Sequence, residues 1–293
     1  MVTVAKIKTL TQKLIPWRIW FQISFLGVWL DPLAWRYHHI CSPVFHCYSC
    51  PLATFACPIG LLHQFAALHA FPFVTVGIIV VVGVLFGSFI CGWVCPIGLL
   101  QDLFSRIPVR KFRLPLWLSH FRYFMLLGLV LLIPYLFGIS HPLAICQVCP
   151  IGALESSLPR KVAGPLLIGE SISWTGGLRF KMILLAAFIT AMLFTHRPWC
   201  RICPLGLILG WFNRFSAVFL KFNPAACTNC RLCEKSCDLV ARPYKTPKSQ
   251  NCILCLECTK CRPKALTLGS IFQPQRETEN LTETVPLSGE DNH

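Results

Sequence analysis

The chain has 293 residues, of which 55% are hydrophobic and 13% charged, with a mean hydropathy of +0.60. Soluble domains carry about a quarter charged residues, so this is a membrane composition. The net charge of +15 becomes +20 over residues 1–276, because five of the twelve acidic residues fall in the last 17 positions. The Lys and Arg residues border apolar segments instead of forming one stripe, which argues against nucleic acid as a partner.

Four apolar segments have about the length that a spanning helix needs: residues 15–35, 71–90, 121–140 and 180–195, the last being the shortest. Lys6, Lys8 and Lys13 precede the first, as in a signal peptide, but no small-residue cleavage site follows it. Positive charge stays in the cytoplasm during insertion. Residues 1–18, 91–122 and 196–293 hold 22 of the Lys and Arg, against 5 in the alternate segments, so both termini are expected on the cytoplasmic side of a bacterial inner membrane.

Between these segments one motif occurs four times: CPIGLL at 57–62, CPIGLL at 95–100, CPIGAL at 149–154 and CPLGLI at 203–208. Each has a cysteine partner shortly before it, in CYSCP at 47–51, CGWVCP at 91–96, CQVCP at 146–150 and CRICP at 200–204. Cys50 and Cys149 are 99 residues apart and Cys95 and Cys203 are 108 apart, so the chain reads as two duplicated halves. Proline suits the first position of a helix, which makes the preceding cysteine the N-cap, where a thiolate meets the positive end of the helix dipole. The glycine two residues later is expected to admit a neighbouring helix.

If the halves pack together, Cys91, Cys95, Cys200 and Cys203 form an inner set, while Cys47, Cys50, Cys146 and Cys149 form an outer one. Four thiolates suit an additional cluster or a closed metal site. For the inner set a metal or redox-thiol site stands against structural turns or disulfides, and for the outer set disulfides in an oxidising compartment are the alternative, with Cys41 and Cys57 as a further pair.

The C-terminal cysteines are the most specific signal. CTNCRLCEKSC at 227–237 and CILCLECTKC at 252–261 each place three cysteines at x2 spacing, which wraps three corners of an iron-sulfur cube, and each run lends its last cysteine to the other cluster. One [4Fe-4S] cluster is then expected on Cys227, Cys230, Cys233 and Cys261, and a second on Cys252, Cys255, Cys258 and Cys237. A zinc ribbon would use only half of these thiols. His38, His39, His46 and His141 lie near the outer cysteines, where they either meet a quinone head group or serve as interfacial polar groups. The sequence has no CxxCH, Walker loop or dinucleotide fingerprint.

The fold expected is an all-α membrane protein, with four transmembrane helices in two duplicated halves over residues 1–222. A small two-cluster ferredoxin-like domain follows at 223–270 and a disordered acidic tail at 271–293. CGWVCP and CRICPLG at the inner ends of spans two and four, with the terminal ferredoxin runs, resemble the NapH family of membrane quinol dehydrogenase subunits and the related modules of NosR and MauN. The second inner motif has x2 where that family usually has x3, and the outer set is additional. The resemblance implies an iron-sulfur electron carrier that exchanges electrons with the quinone pool or a redox partner protein. The alternative from another class is a metal-handling or thiol-redox assembly factor for a respiratory enzyme.

Overall fold

The computed structural model describes residues 15–25, 57–153, 176–260 and 265–271. Cys41, Cys47, Cys50, Cys261, the three histidines at 38, 39 and 46, residues 26–35 of the first apolar segment and the tail from 272 lie outside the described residues.

Helix α1 covers residues 15–25. Helices α2 (Pro58–Ala67), α3 (Phe73–Phe86), α4 (Phe89–Trp93) and α5 (Pro96–Ser105) follow. The 14 residues of α3 rise about 21 Å, less than the roughly 30 Å of a bilayer core. The helix stops at Gly87, whose φ of 54° turns the chain directly into α4. Helix α6 (Trp117–Phe137, 21 residues) and α9 (Gly176–Phe194, 19 residues) are long and apolar enough to cross a membrane. The short α7 (Ile145–Val148) and α8 (Pro150–Gly152) lie between them, and α10 (Pro198–Ile202) and α11 (Pro204–Phe212) follow.

The middle of α6, Met125–Leu132, winds as a π-helix. Pro134, buried one turn later, has no N–H to offer the Val130 carbonyl and its ring needs room there, which is a local cause for the widened turn. Met125, Leu126, Leu129 and Val130 from this stretch pack with Ile59 of α2, Ile145 of α7 and Leu207 of α11 to form the core of the helical part. The opposite surfaces are apolar too: Phe73, Leu127, Leu136 and Ile183 are each at least 60% exposed. Hydrocarbon on the outside of a helical bundle suits lipid and not water.

The C-terminal part departs from the all-α expectation. Strand β1 (Val218–Phe222) pairs antiparallel with β2 (Leu266–Ser270), from Val218↔Ser270 to Phe222↔Leu266. The pairing closes the loop that holds both cysteine runs and draws residues 218–222 into the ferredoxin-like unit. A second core joins this unit to the helices, with Ile15 of α1 and Trp93 of α4 packing against Leu220, Leu254, Leu256, Cys258 and Leu266.

Candidate iron-sulfur centres

Each of the four CP copies starts a helix at its proline, with Cys57, Cys95, Cys149 and Cys203 as N-caps. Three of these caps share one backbone conformation, with φ/ψ of −64/119° at Cys95, −67/117° at Cys149 and −64/121° at Cys203. The thiols face the free N–H groups of the first turn: Gly60 N donates to Cys57 Sγ at 3.3 Å, and the amides of Gly98 and Gly206 favour the thiolates of Cys95 and Cys203. At three of the motif glycines the backbone admitted is that of the short helix just before the motif. A Cβ on Gly98, Gly152 or Gly206 would lie 3.3–3.8 Å from the carbonyl of the first cysteine of its own motif, so the glycine lets the motif fold back on itself.

In the second ferredoxin run, Cys252, Cys255 and Cys258 line one cavity together with Cys237 from the first run. In the first run, Cys227, Cys230 and Cys233 line a separate cavity of about 360 Å³ with Arg231 and Lys245 at its edge. The two runs repeat one backbone device. The residues just before and after the middle cysteine are left-handed in both: Asn229 (φ 50°) and Arg231 (54°), then Leu254 (49°) and Leu256 (62°). For leucine this conformation costs energy, and alternating backbone signs turn successive N–H groups to one side as an anion-binding nest of the kind found at Fe–S sites. Leu254 N reaches Cys252 Sγ at 3.4 Å and Ala241 N reaches Cys237 Sγ at 3.4 Å.

The donor set fits a cationic inorganic core. Burial pushes the Cys252 thiol up to about 12 and Cys258 higher still, and neighbouring thiols push in the same direction. Bare thiolates at Cys252 and Cys258 are therefore disfavoured, and positive metal charge is what stabilises them. Cys255 is also pushed up by burial, against the opposing pull of the Arg197 and Arg18 guanidiniums.

The inner set converges as well. Cys91, Cys95 and Cys203 retain some exposed surface yet lie deep in the fold, and burial followed by repulsion from Cys95, Cys203 and Cys200 raises Cys91. Cys95 is pushed up to about 12 and Cys203 to about 11, burial being the main cause in both. Gln101 is buried beside Cys200, its Nε2 donating to Cys200 Sγ at 3.4 Å and its Oε1 accepting from Trp199 N at 3.1 Å. Arg122, 3% exposed, favours the Cys203 thiolate and has no carboxylate partner among the described residues. In the outer set, Cys146 packs at the edge of the helical core, and its geometry with Cys47 and Cys50 lies outside the described residues. His141 accepts a hydrogen bond at Nδ1 from Leu143 N at 3.3 Å.

The inner motifs grip the second run. Gly92 of α4 lies against it so closely that a Cβ would fall 2.5 Å from Ile253 O, and Gly210 of α11 lies closer still to the carbonyl of Gln250, just ahead of the run. Trp93 Nε1 donates to Leu254 O at 3.2 Å, and Ser88 Oγ lies 2.5 Å from Cys252 O. Beside this contact Asp102 bridges two buried arginines, Arg18 and Arg197, which also reach Glu257 at 3.6 Å and Asp238 at 3.3 Å respectively. None of Ser88, Arg18, Asp102, Arg197 or Asn213 belongs to a motif, and these partners lie 36 to 239 positions away, from Asn213 with Ser249 to Arg18 with Glu257. Only the fold brings them together.

Comparison with known proteins agrees with this chemistry. A family described as "4Fe-4S binding domain" matches residues 68–115 and 180–223, the segments that contain Cys91, Cys95, Cys200 and Cys203. An uncharacterized protein of Methanocaldococcus jannaschii is 32% identical over 208 residues, which is 67% of this chain and 78% of that protein. The putative electron transport protein YccM of Escherichia coli is 25% identical over 224 residues, 72% of this chain and 58% of its own length. The methylamine utilization ferredoxin-type protein MauN of Methylorubrum extorquens is 28% identical over 197 residues, 64% and 56% respectively. No solved structure matches the chain.

Proposed function

The chain belongs to the ferredoxin-type 4Fe-4S membrane protein family that includes MauN, YccM and NosR, and from that premise we propose that it carries electrons between the quinone pool or an outer redox partner and two [4Fe-4S] clusters on its cytoplasmic side. One cluster is assigned to Cys227, Cys230, Cys233 and Cys261, and the other to Cys252, Cys255, Cys258 and Cys237. The observation that carries the assignment is the shared cavity of Cys237 with the second run, the exchange of a ligand between runs that a two-cluster ferredoxin needs. The excess of Lys and Arg at the termini supports the cytoplasmic orientation.

We assign a third cluster to the inner set. A buried guanidinium without a carboxylate is costly, and the charge that offsets Arg122 comes from its thiol neighbours. A disulfide at this place is neutral and leaves Arg122 uncompensated, whereas four metal-bound thiolates supply negative charge. Electrons then have a short path from the inner set to the second run, through the contact of Gly92 with Ile253. The chain's own residues hold the ligands, exclude water and set the charge around them. The electron transfer itself is chemistry that the clusters supply.

Iron and acid-labile sulfide analysis of anaerobically purified protein tests this reading. Three cubes require about twelve irons per chain, and Cys91→Ser with Cys203→Ser is expected to remove about four. A colourless, iron-free preparation overturns the function. A reduced quinol analogue is expected to bleach cluster absorbance, and the absence of bleaching removes the quinone pool as electron source.

A further inference from the structure

The two ferredoxin runs differ sharply in their access to solvent. In the second, Ile253, Leu254, Leu256, Cys258 and Thr259 are all buried. In the first, Thr228, Asn229, Cys230, Arg231 and Leu232 are all exposed. Electron transfer between proteins needs close approach of the two centres, and among the described residues only the first run offers it.

Every exposed charged residue in the stretch 228–248 is basic: Arg231, Lys235, Arg242, Lys245 and Lys248. The two acids of the same stretch are already engaged: Glu234 accepts from Arg242 Nε at 3.2 Å and from Tyr244 Oη at 3.3 Å, and Asp238 pairs with Arg197 and His196. Leu232, half exposed beside Arg231, puts an apolar group at the centre of this cationic ground. An apolar centre within a charged rim is the anatomy of a transient protein interface, and a field of one sign steers an oppositely charged partner.

We propose that this face, formed by residues 228–232 with Arg231 and Lys245 at the edge of the cysteine-lined cavity, docks a small acidic one-electron carrier protein whose carboxylates ring its own redox centre. The inference rests on the assignment of Cys227, Cys230 and Cys233 as cluster ligands. One electron passes from the reduced centre of the carrier to the oxidised cluster, or back, and no proton or bond changes hands.

The test is anaerobic stopped-flow mixing of the full chain, in lipid nanodiscs, with a reduced acidic [2Fe-2S] ferredoxin while cluster absorbance is followed. The second-order rate is expected to fall steeply as salt rises. Reversing two charges, with Arg231→Glu and Lys245→Glu, is expected to slow it roughly tenfold or more at low ionic strength. A cationic cytochrome is expected to show the opposite salt trend. A rate that ignores both salt and charge reversal overturns the proposal. So does a rate that the variant leaves unchanged but that follows the anionic lipid content of the nanodisc, which would assign the face to lipid. Iron content and EPR signals of the variant, measured first, separate failure of docking from failure of the ligand assignment.

Discussion

Asn213 holds the carbonyl of Cys252: its Nδ2 donates to Cys252 O at 2.9 Å, and its Oδ1 accepts from Ser88 N at 3.0 Å. One buried amide thus fastens a candidate cluster ligand to the turn between α3 and α4. Nδ2 also donates to Ser249 O at 2.9 Å, so both of its hydrogens are used at the start of the second run and just before it. Asn213→Ala removes all three bonds but leaves only the buried Ser88 N–H without a partner, at a cost of about 1–3 kcal/mol, because Cys252 O keeps Ser88 Oγ and Ser249 O keeps Cys252 N. The expected outcome is a folded protein that loses iron from the second run faster on heating, read as an earlier loss of its EPR signal than of helical circular dichroism.

Gly92→Ala tests the same junction sterically. The added methyl would sit 2.5 Å from Ile253 O, which is backbone and not a flexible side-chain end. Either α4 or the 252–255 loop must move, a strain of about 1–3 kcal/mol. Selective weakening of the cluster on Cys252, Cys255, Cys258 and Cys237 is expected, with membrane insertion intact. Equal loss from all centres would mean that the contact supports general folding only.

Much of the site was legible in the sequence, because cysteine spacing and the Cys-Pro helix start are local. Cys95, Cys149 and Cys203 sit at N-caps with nearly equal dihedral angles since proline fixes the next residue and the cap follows from it. The junction was not legible. Ser88 and Cys252 are 164 positions apart, and neither serine nor asparagine in an apolar chain announces a distant carbonyl. The strands escaped notice as well, because VFLKF and LTLGS are short and pair only once the cysteine runs have folded between them. The motif glycines do meet a neighbouring backbone, that of the preceding short helix, but the tightest approaches fall at Gly92 and Gly210, which no repeated motif marks.

Arg122 supplies a test of the inner centre by its potential. A cluster gains negative charge on reduction, so a buried guanidinium nearby favours the reduced form. Arg122→Met keeps the buried volume and removes the charge. The midpoint potential of the inner centre is expected to fall by about 60 mV, a tenfold change in a one-electron equilibrium. The centre on Cys227, Cys230 and Cys233 is expected to stay within about a third of that shift. An inner set without any redox-active signal in wild type would remove the third cluster.

Asp102 provides a test of the charge network independent of iron. Its carboxylate meets Arg18 through one oxygen and Arg197 through the other, and both arginines are 5% exposed or less at their side chains. Asp102→Leu removes the carboxylate that two buried cations share and leaves Arg18 only the Glu257 carboxylate at 3.6 Å and Arg197 only that of Asp238 at 3.3 Å, at a cost of up to about 3–5 kcal/mol for a broken buried pair. Lower yield and a reduced thermal midpoint in detergent are expected. Replacing all three, with Arg18→Met and Arg197→Met added, removes the stranded charges together with the desolvation that they cost. Such replacements by apolar groups are often neutral or stabilising, so the triple variant is expected to recover much of the loss. Arg18 also donates to Gly92 O at 2.9 Å and Arg197 lies beside Cys255, so recovery of stability need not bring back the original potential of the second run. A triple variant that is stable but lowered in potential would divide the two roles of these arginines: Asp102 is the partner that makes their burial tolerable, and the cluster is what their charge serves.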